Sequence, residues 1–414
     1  MLRHREDCRA CHSKDVVKFL SLGDIPLAGG FVKEEEIPEE KKYPLEVYFC
    51  RNCSLAQIMD IVPPDILFKD YRYLSSVMLT LAKHFEMHAK DVVSRYNLDK
   101  NSFAVEIGPN DGVLMKPLQD FGINVVGFEP AENIAEIAVS KGLQIIKDYF
   151  TENNATKLVE SHGKADVILA NNVFAHIDDI DEIMKGISKL LKDEGVFIFE
   201  VHYIIDLIEK LQFDTIYHEH LMYYSIKALQ KIMNRYGMEI VDVKRIPIHS
   251  GSISVHAKKT NIMNNIDSSV LNLLGLEYSL GLHSEEAYFE FADKVKEIKN
   301  ELLTLINDHK SKNKRIICYG APGRGTTLLN YVGIDKKQID YVIDQSPERY
   351  GRFMPGVQIP IYPPERLREE INPPDYALIL AWSYEEEILK KEQDFISKGG
   401  KFIIPLPKIK VIPS

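Results

Sequence analysis

The sequence predicts an α/β chain: a doubly wound, mostly parallel sheet in the middle, a small cysteine-bearing segment before it and a smaller α/β unit after it. Three observations predict this. From Phe103 to Val201, short β-branched and apolar runs alternate with amphipathic ones, an order that demands a parallel sheet with helices on both faces. Four of the five cysteines form two C-x-x-C pairs, both before residue 54. A fresh strand, glycine turn and helix start at Arg315, after a long stretch of helical pattern.

A chain of 414 residues is too long for one core. That length suggests about two to four domains, with a boundary near Tyr71; the division expected is 1–70, 71–260 and 261–414, the three-part order being what the family resemblance given below implies. Hydrophobic residues at 45% and charged residues at 27% describe an ordinary globular protein. The net charge of −10 excludes a general nucleic-acid binder, which needs a basic face to neutralise phosphates. No run reaches the roughly 18 apolar residues of a membrane span. Met1 to Asp7 is charged with no apolar core behind it, so the expected compartment is the cytoplasm and no membrane partner is expected.

At the N-terminus, Cys8, Cys11, Cys50 and Cys53 can set four thiolates around one ion. Zinc prefers soft sulfur and tetrahedral geometry, and a closed shell of four thiolates leaves no open position, so the metal is expected to be structural. A reducing compartment opposes the competing disulfides. His12 reads as a surface neighbour rather than a further ligand. Leu22 to Phe31 contains Pro26, Gly29 and Gly30 and reads as loop, and Glu34 to Lys42 as a solvated linker. Pro63 and Pro64 break the chain ahead of Tyr71-Arg-Tyr73-Leu-Ser-Ser, after which an amphipathic helix runs to about Tyr96.

The middle segment starts at Val105-Glu-Ile-Gly-Pro-Asn-Asp-Gly112. A strand at 103–107, a turn from Gly108 to Gly112 and a helix at 113–121 make a ligand-binding corner, because glycine lets the backbone approach where a Cβ would collide. The next strand, 124–128, ends in Glu129, where a carboxylate can accept two ribose hydroxyls. Asp111 occupies the turn, which opposes a pyrophosphate and favours a nucleoside without phosphate. With Glu106 before the turn, the corner resembles the S-adenosylmethionine site of class I methyltransferases. Glu106, Gly108, Asn110, Gly112, Glu129, Asp148 and Asn171 are its candidate cofactor residues, set against the plainer reading of a βα corner with no ligand. Further elements are expected at 131–141, 144–146, 151–161, 165–170, 179–192 and 195–201. A helix at 225–235 and two adjacent strands, 238–246 and 252–258, then close the sheet with an antiparallel pair.

Residues 262–312 read as helical throughout. Beyond them, a strand at 315–319, the turn Gly320-Ala-Pro-Gly323-Arg324-Gly325, a helix at 326–331 and strands at 341–343, 377–380 and 401–404 suggest a smaller Rossmann-like domain. With Arg324 in it, the turn could hold a phosphate. Tight packing of helix on strand explains the glycines nearly as well.

Reacting groups in such a sheet belong just past the carboxyl ends of its strands. Asn171, Asn172 and His176 follow the strand ending at Ala170, with helix entry as the plain alternative. Tyr217-His218-Glu219-His220 follows the strand ending at Val201. Two imidazoles, a carboxylate and a phenol in four positions are improbable as core, and histidine's unperturbed pKa of about 6.5 suits a general base. A solvated polar turn is the alternative.

Taken together, the paired C-x-x-C knuckles, Glu-Ile-Gly-Pro-Asn-Asp-Gly, Gly127-Phe-Glu-Pro130, Tyr217-x-Glu219-His220, Tyr319-Gly-Ala and Leu328-Leu-Asn-Tyr-Val-Gly333 resemble the nucleotide-sugar C-methyltransferases. The nearest resemblance is to those acting at C-3 of dTDP-linked 4-keto-deoxysugars, and it runs nearly end to end. It implies a zinc domain, a central class I methyltransferase domain and a C-terminal domain that helps hold the nucleotide sugar, with Tyr71, Gly320, Gly323 and Arg324 as candidate substrate contacts. The family's active-site roles fall on Tyr73 (or Tyr71), Asn172 with His176, and Tyr217, Glu219 and His220. Here His218 stands where the family carries aspartate. The implied chemistry is removal of a proton beside a ketone by His220, oriented by Glu219, and methylation of the carbon from S-adenosylmethionine. O-methylation of a sugar or other small molecule, and a non-catalytic nucleotide-sugar-binding module, are the alternatives.

Overall fold

The computed structural model describes residues 2–68 and 74–413, so Tyr71 and Tyr73 lie outside the described residues. The chain packs into two units. One comprises Met1–Val17, Phe49–Ile204 and Leu221–Ser284, the other Lys18–Tyr48, Ile205–His220 and Glu285–Ser414. Both units draw on separated stretches of chain. The residues between the cysteine pairs and the short stretch 205–220 pack with the C-terminal residues, an excursion that no local pattern announces.

The first unit is built on a seven-stranded sheet. Its strands are β1 (Phe103–Ile107), β2 (Asn124–Phe128), β3 (Gln144–Ile146), β4 (Ala165–Asn171), β5 (Leu191–His202), β6 (Met238–Ile246) and β7 (Ser252–Lys259). They lie in the order β6-β7-β5-β4-β1-β2-β3. The pairs β1–β2, β2–β3, β1–β4 and β4–β5 are parallel, and β7 runs antiparallel to both β5 and β6. The doubly wound sheet with a closing antiparallel pair is thus the one expected.

All five residues of β1 are buried. The helix Leu79–Arg95 sets Leu81, Phe85, Ala89 and Val92 at helical spacing on one face, packed in the same core as Ala104, Val125, Val167 and Ile198 of the sheet. Each large apolar side chain so buried contributes about 1.5–3 kcal/mol. Helix starts follow local chemistry: Thr151, Asp179 and Ser225 accept the backbone N–H of Asn154, Glu182 and Ala228. The helix expected at 179–192 ends at Leu190 and passes straight into β5, which carries a register irregularity between Leu191 and Val196. The helical stretch expected over 262–312 is broken. Asp267 caps a helix Ser268–Ser279, Gly281 turns at φ 70°, and a second helix runs Glu286–Ser311.

The second unit carries a six-stranded sheet of β8 (Ile316–Tyr319), β9 (Val342–Ile343), β10 (Ile361–Tyr362), β11 (Tyr376–Ile379), β12 (Lys401–Ile404) and β13 (Lys410–Ile412). Their order is β10-β9-β8-β11-β12-β13, all parallel except the edge strand β13. That is the doubly wound order in which the chain reverses direction beside β8, its first strand. The helix Glu286–Ser311 buries Tyr288, Phe291, Val295, Ile298, Leu302 and Ile306 along one stripe. Among the described residues, no helix is long and apolar enough to cross a membrane.

Candidate active site and metal centre

The two cysteine knuckles have the same local construction. His12 N–H donates to the Cys8 carbonyl and Ser54 N–H to the Cys50 carbonyl, each at 2.8 Å, and His12 and Ser54 both take positive φ. This turns the four sulfurs toward one point. Cys8 and Cys53 Sγ lie 3.5 Å apart, Cys11 and Cys50 Sγ 3.6 Å, and all four within 4.8 Å of one another. A tetrahedral zinc with Zn–S bonds of about 2.3 Å requires sulfurs roughly 3.8 Å apart. The donor set therefore fits a structural zinc. The ring of His12 lies between Asp7 (3.0 Å) and Asp181 (2.7 Å), which accounts for it without the metal.

In the glycine corner of the first unit, Gly108 takes φ 65°, and a Cβ there would meet Val173 Cγ2 at 2.5 Å. Gly112 takes φ 82°, with a Cβ 2.1 Å from Leu143. Only glycine serves at either position. Asn110 N–H donates to Glu129 Oε2 and Ala131 N–H to Glu129 Oε1, each at 3.0 Å, so the acid at the end of β2 is locked to the turn. Ser75 N–H donates to Asn110 Oδ1 at 2.9 Å, Ser76 Oγ donates to Asp111, and Lys141 Nζ pairs with Asp111 at 2.9 Å. Burial, then the charges of Glu129, Glu200 and Asp111, push the Glu106 carboxyl up to about 8.

Several polar atoms near this corner are left over. Among the described residues, Glu106 Oε2, both side-chain polar atoms of Asn171, and Asn172 Oδ1 are buried with no hydrogen-bond partner. Leaving such a group unpaired costs about 1–3 kcal/mol, so this edge of the sheet is built for a ligand. A carboxylate surplus suits a cationic one. The residues fit S-adenosylmethionine, whose ribose hydroxyls suit Glu129 and whose sulfonium suits the acidic surroundings. Asp148 is exposed and accepts from Asn154 Nδ2 at 2.9 Å and Tyr149 N–H at 2.7 Å.

Past β4, Asn172 sits at φ 57° and its N–H donates to the Glu200 carbonyl at 2.8 Å. His176 ends the short helix Phe174–His176, and burial together with the charge of His249 holds its imidazole down at about 4, neutral at ordinary pH. Glu200, which none of the sequence motifs singles out, is fully buried in β5 with both oxygens held by His84 Nε2 at 2.8 and 3.0 Å. An acid inside the apolar run Val-Phe-Ile-Phe-Glu-Val was the available signal.

Tyr217, Glu219 and His220 belong to the second unit. His220 Nδ1 lies 2.8 Å from the Thr215 carbonyl, and its ring is 4.0 Å from that of Tyr217. A carbonyl can only accept, so Nδ1 carries a proton, and in the neutral ring the basic nitrogen is then Nε2. The orienting contact assigned to Glu219 from sequence is thus supplied by backbone, which no sequence pattern could point to. Glu219 keeps part of its surface accessible, yet burial pushes its carboxyl up to about 7. His218 is buried, with Nε2 3.2 Å from the Tyr43 and Pro44 carbonyls.

The second glycine corner follows the same plan with every key group engaged. Ala321 N–H donates to Asp344 Oδ2 at 2.6 Å, and Arg349 reaches both oxygens of Asp344 at 3.1 Å. Arg324, read from sequence as a phosphate contact, forks onto Asp214 with two bonds of 2.8 Å and stacks on Trp382 at 4.3 Å, while Trp382 Nε1–H also donates to Asp214 at 2.8 Å. This pairing accounts for the arginine without a phosphate. The helix starts at Gly323, three residues early. A Cβ on Gly323 would lie 3.4 Å from Ala28, and one on Gly325 would lie 3.1 Å from Leu380, so close packing explains both glycines.

Strand order, the acid-lined glycine corner and the four-thiolate cluster define an S-adenosylmethionine-dependent class I methyltransferase with a structural zinc site. Residues 8–68 match a methyltransferase-associated zinc binding domain, 82–243 a methyltransferase domain and 247–407 a C-methyltransferase C-terminal domain. The chain is 34% identical over 413 residues to the C-methyltransferase NovU of Streptomyces niveus, covering 100% of this chain and 98% of that one. It belongs to the C-methyltransferase family. A ubiquinone biosynthesis O-methyltransferase of Bartonella bacilliformis is 32% identical over 96 residues, 22% of this chain and 38% of that one. The magnesium protoporphyrin IX methyltransferase of Synechocystis, solved with S-adenosylmethionine, aligns with a TM-score of 0.33 and 16% identity over 43% of this chain and 79% of that one.

Proposed function

We propose that this C-methyltransferase acts on a nucleotide-linked, dTDP-bearing 4-keto-deoxysugar in the cytoplasm and methylates C-3, a carbon flanking the ketone. The observation that carries this reading is the anchoring of His220: with Nδ1–H given to the Thr215 carbonyl, the neutral ring has Nε2 as its base. A carbon bearing hydrogen is no nucleophile until it loses a proton, and beside a ketone that loss leaves the charge on oxygen. When bound, S-adenosylmethionine supplies an electrophilic methyl group.

The work of the chain is to make the acceptor carbon nucleophilic. His220 Nε2 takes the α-proton as the electron pair of the C–H bond moves toward the carbonyl oxygen. Glu219, raised to about 7, keeps a proton near neutrality and can donate it in a hydrogen bond to the sugar. Tyr217, Asn172 and the neutral His176 are donors for the ring or its developing oxyanion, a role extended to Tyr73 by family resemblance. Glu106, Gly108, Asn110, Gly112, Glu129, Asp148 and Asn171 hold the cofactor, and the C-terminal segment, with Tyr71, helps hold the nucleotide.

Incubation with a dTDP-4-keto-6-deoxyhexose in deuterated water should exchange the α-hydrogen, and His220→Asn should abolish exchange. Exchange at wild-type rate in that variant removes His220 as the base. Product NMR decides the carbon: a methyl at the other α-position rejects C-3, and an O-methyl signal rejects C-methylation of this substrate.

A further inference from the structure

Beyond the groups already assigned, the carboxyl edge of the first unit's sheet carries two more imidazoles. His202 is the last residue of β5, in register with Ser252 of β7. His249 lies in the turn entering β7. The two rings are 5.7 Å apart, centroid to centroid, at 45°.

This turn is strained. His249, Ser250 and Gly251 take φ of 52°, 70° and 134° in succession. A residue other than glycine held there costs on the order of 1–3 kcal/mol, and such strain clusters at functional sites. The conformation is over-determined by its surroundings. Gly251 N–H and Ser252 Oγ both donate to the Ile248 carbonyl, at 3.0 and 3.1 Å, and Tyr203 N–H donates to the Gly251 carbonyl at 3.4 Å. Glycine would take the φ of 249 without that cost, and histidine stands there instead.

Its position gives that side chain a use. The loop that follows β4 sets Val173 against Gly108 of the cofactor corner and carries Asn172 and His176. His249 is close enough to His176 for its charge to oppose protonation there, alongside burial. Hence residues 172–176, His202 and the 248–251 turn gather along one edge of β4 and β5, beside the turn where the methyl donor is held. An acceptor must lie there to be methylated.

We propose that His249, braced by His202, is a substrate-binding and specificity residue of the methyl-transfer reaction, donating an imidazole N–H to a hydroxyl or keto oxygen of the acceptor's ring. This rests on the keto-sugar reading above.

The test uses the full-length, zinc-loaded enzyme with a dTDP-4-keto-6-deoxyhexose and S-adenosylmethionine. His249→Gly suits the left-handed backbone and removes only the ring, and His249→Gln restores an N–H donor. Loss of one such bond to the acceptor predicts a KM for the sugar nucleotide raised roughly tenfold or more in His249→Gly and partly restored in His249→Gln, with the cofactor Kd by calorimetry unchanged within about twofold. A wild-type enzyme that turns over while His249→Gly keeps its KM overturns the histidine assignment alone, as does an equal loss of cofactor affinity. A wild-type enzyme that binds cofactor but leaves the ketone untouched overturns the substrate reading and this inference with it.

Discussion

The two glycine corners share one plan and differ in what they leave unpaired. In each, a strand runs into a glycine turn, and an acid at the end of the next strand accepts a backbone N–H from that turn: Glu129 from Asn110 at 3.0 Å, Asp344 from Ala321 at 2.6 Å. Around the first, buried Glu106, Asn171 and Asn172 keep polar atoms without partners among the described residues. Around the second, Asp344 is clasped by Arg349 and Arg324 by Asp214. Since an unpaired buried polar group costs about 1–3 kcal/mol, the first corner has set stability aside for a ligand and the second has closed its polar groups on one another. Glycine spacing does not tell them apart. The inventory of partners does.

The largest expected effect breaks the closed corner. Arg324→Met leaves Asp214, fully buried, without its countercharge, which should destabilise the fold by about 3–5 kcal/mol. Denaturant unfolding would measure it, and cofactor affinity per folded molecule should stay at the wild-type value. A stable variant with weakened cofactor binding would reverse the roles of the two corners.

Glu106→Gln should do the opposite: above about pH 8, where the wild-type carboxyl is ionised, it should weaken S-adenosylmethionine by roughly 10- to 100-fold, the worth of a charge-assisted contact, while raising the melting temperature of the cofactor-free protein. The sign follows from linkage. With its folded value raised to about 8 from an ordinary 4.5, Glu106 binds more protons folded than unfolded between those limits. Its contribution to stability is present below about pH 4.5 and is lost as pH rises through about 8. Thermal melts across that window should show a decline in the wild type that is shallower in Glu106→Gln. Parallel curves would remove Glu106 from the account.

The smallest contrast is between glycines. Gly108→Ala meets positive φ and Val173 together and should cost about 1–2 kcal/mol along with cofactor affinity. Gly325→Ala, at ordinary helical φ with 3.1 Å to Leu380, should cost under about 1 kcal/mol and leave cofactor binding alone. Equal losses from both would dissolve the distinction.

Much of this was legible beforehand because it is written in local pattern. The β1 strand, the acid after β2, the C-x-x-C knuckles and the antiparallel pair β6–β7 follow from period, turn chemistry and ligand spacing. What stayed hidden depended on partners remote in sequence. Nothing near Arg324 announces Asp214. Nothing near His220 marks the Thr215 carbonyl as its anchor, and His249 looks like an ordinary turn residue until its φ and its neighbour His202 are known. The helix read across 262–312 failed on a smaller scale, at Gly281, where a single positive φ outweighs helical propensity on either side.

By itself, then, the sequence determined the class of fold, the four clustered thiols and the glycine corner after β1, because alternation of apolar residues, glycine at positive φ and C-x-x-C spacing are constraints that act between near neighbours. Tertiary structure alone decided which of two similar corners keeps polar atoms in reserve, how residues 18–48 and 205–220 join the C-terminal unit, and which nitrogen of His220 carries its proton. Those outcomes turn on hydrogen-bond partners and burial, which exist only once distant segments have met.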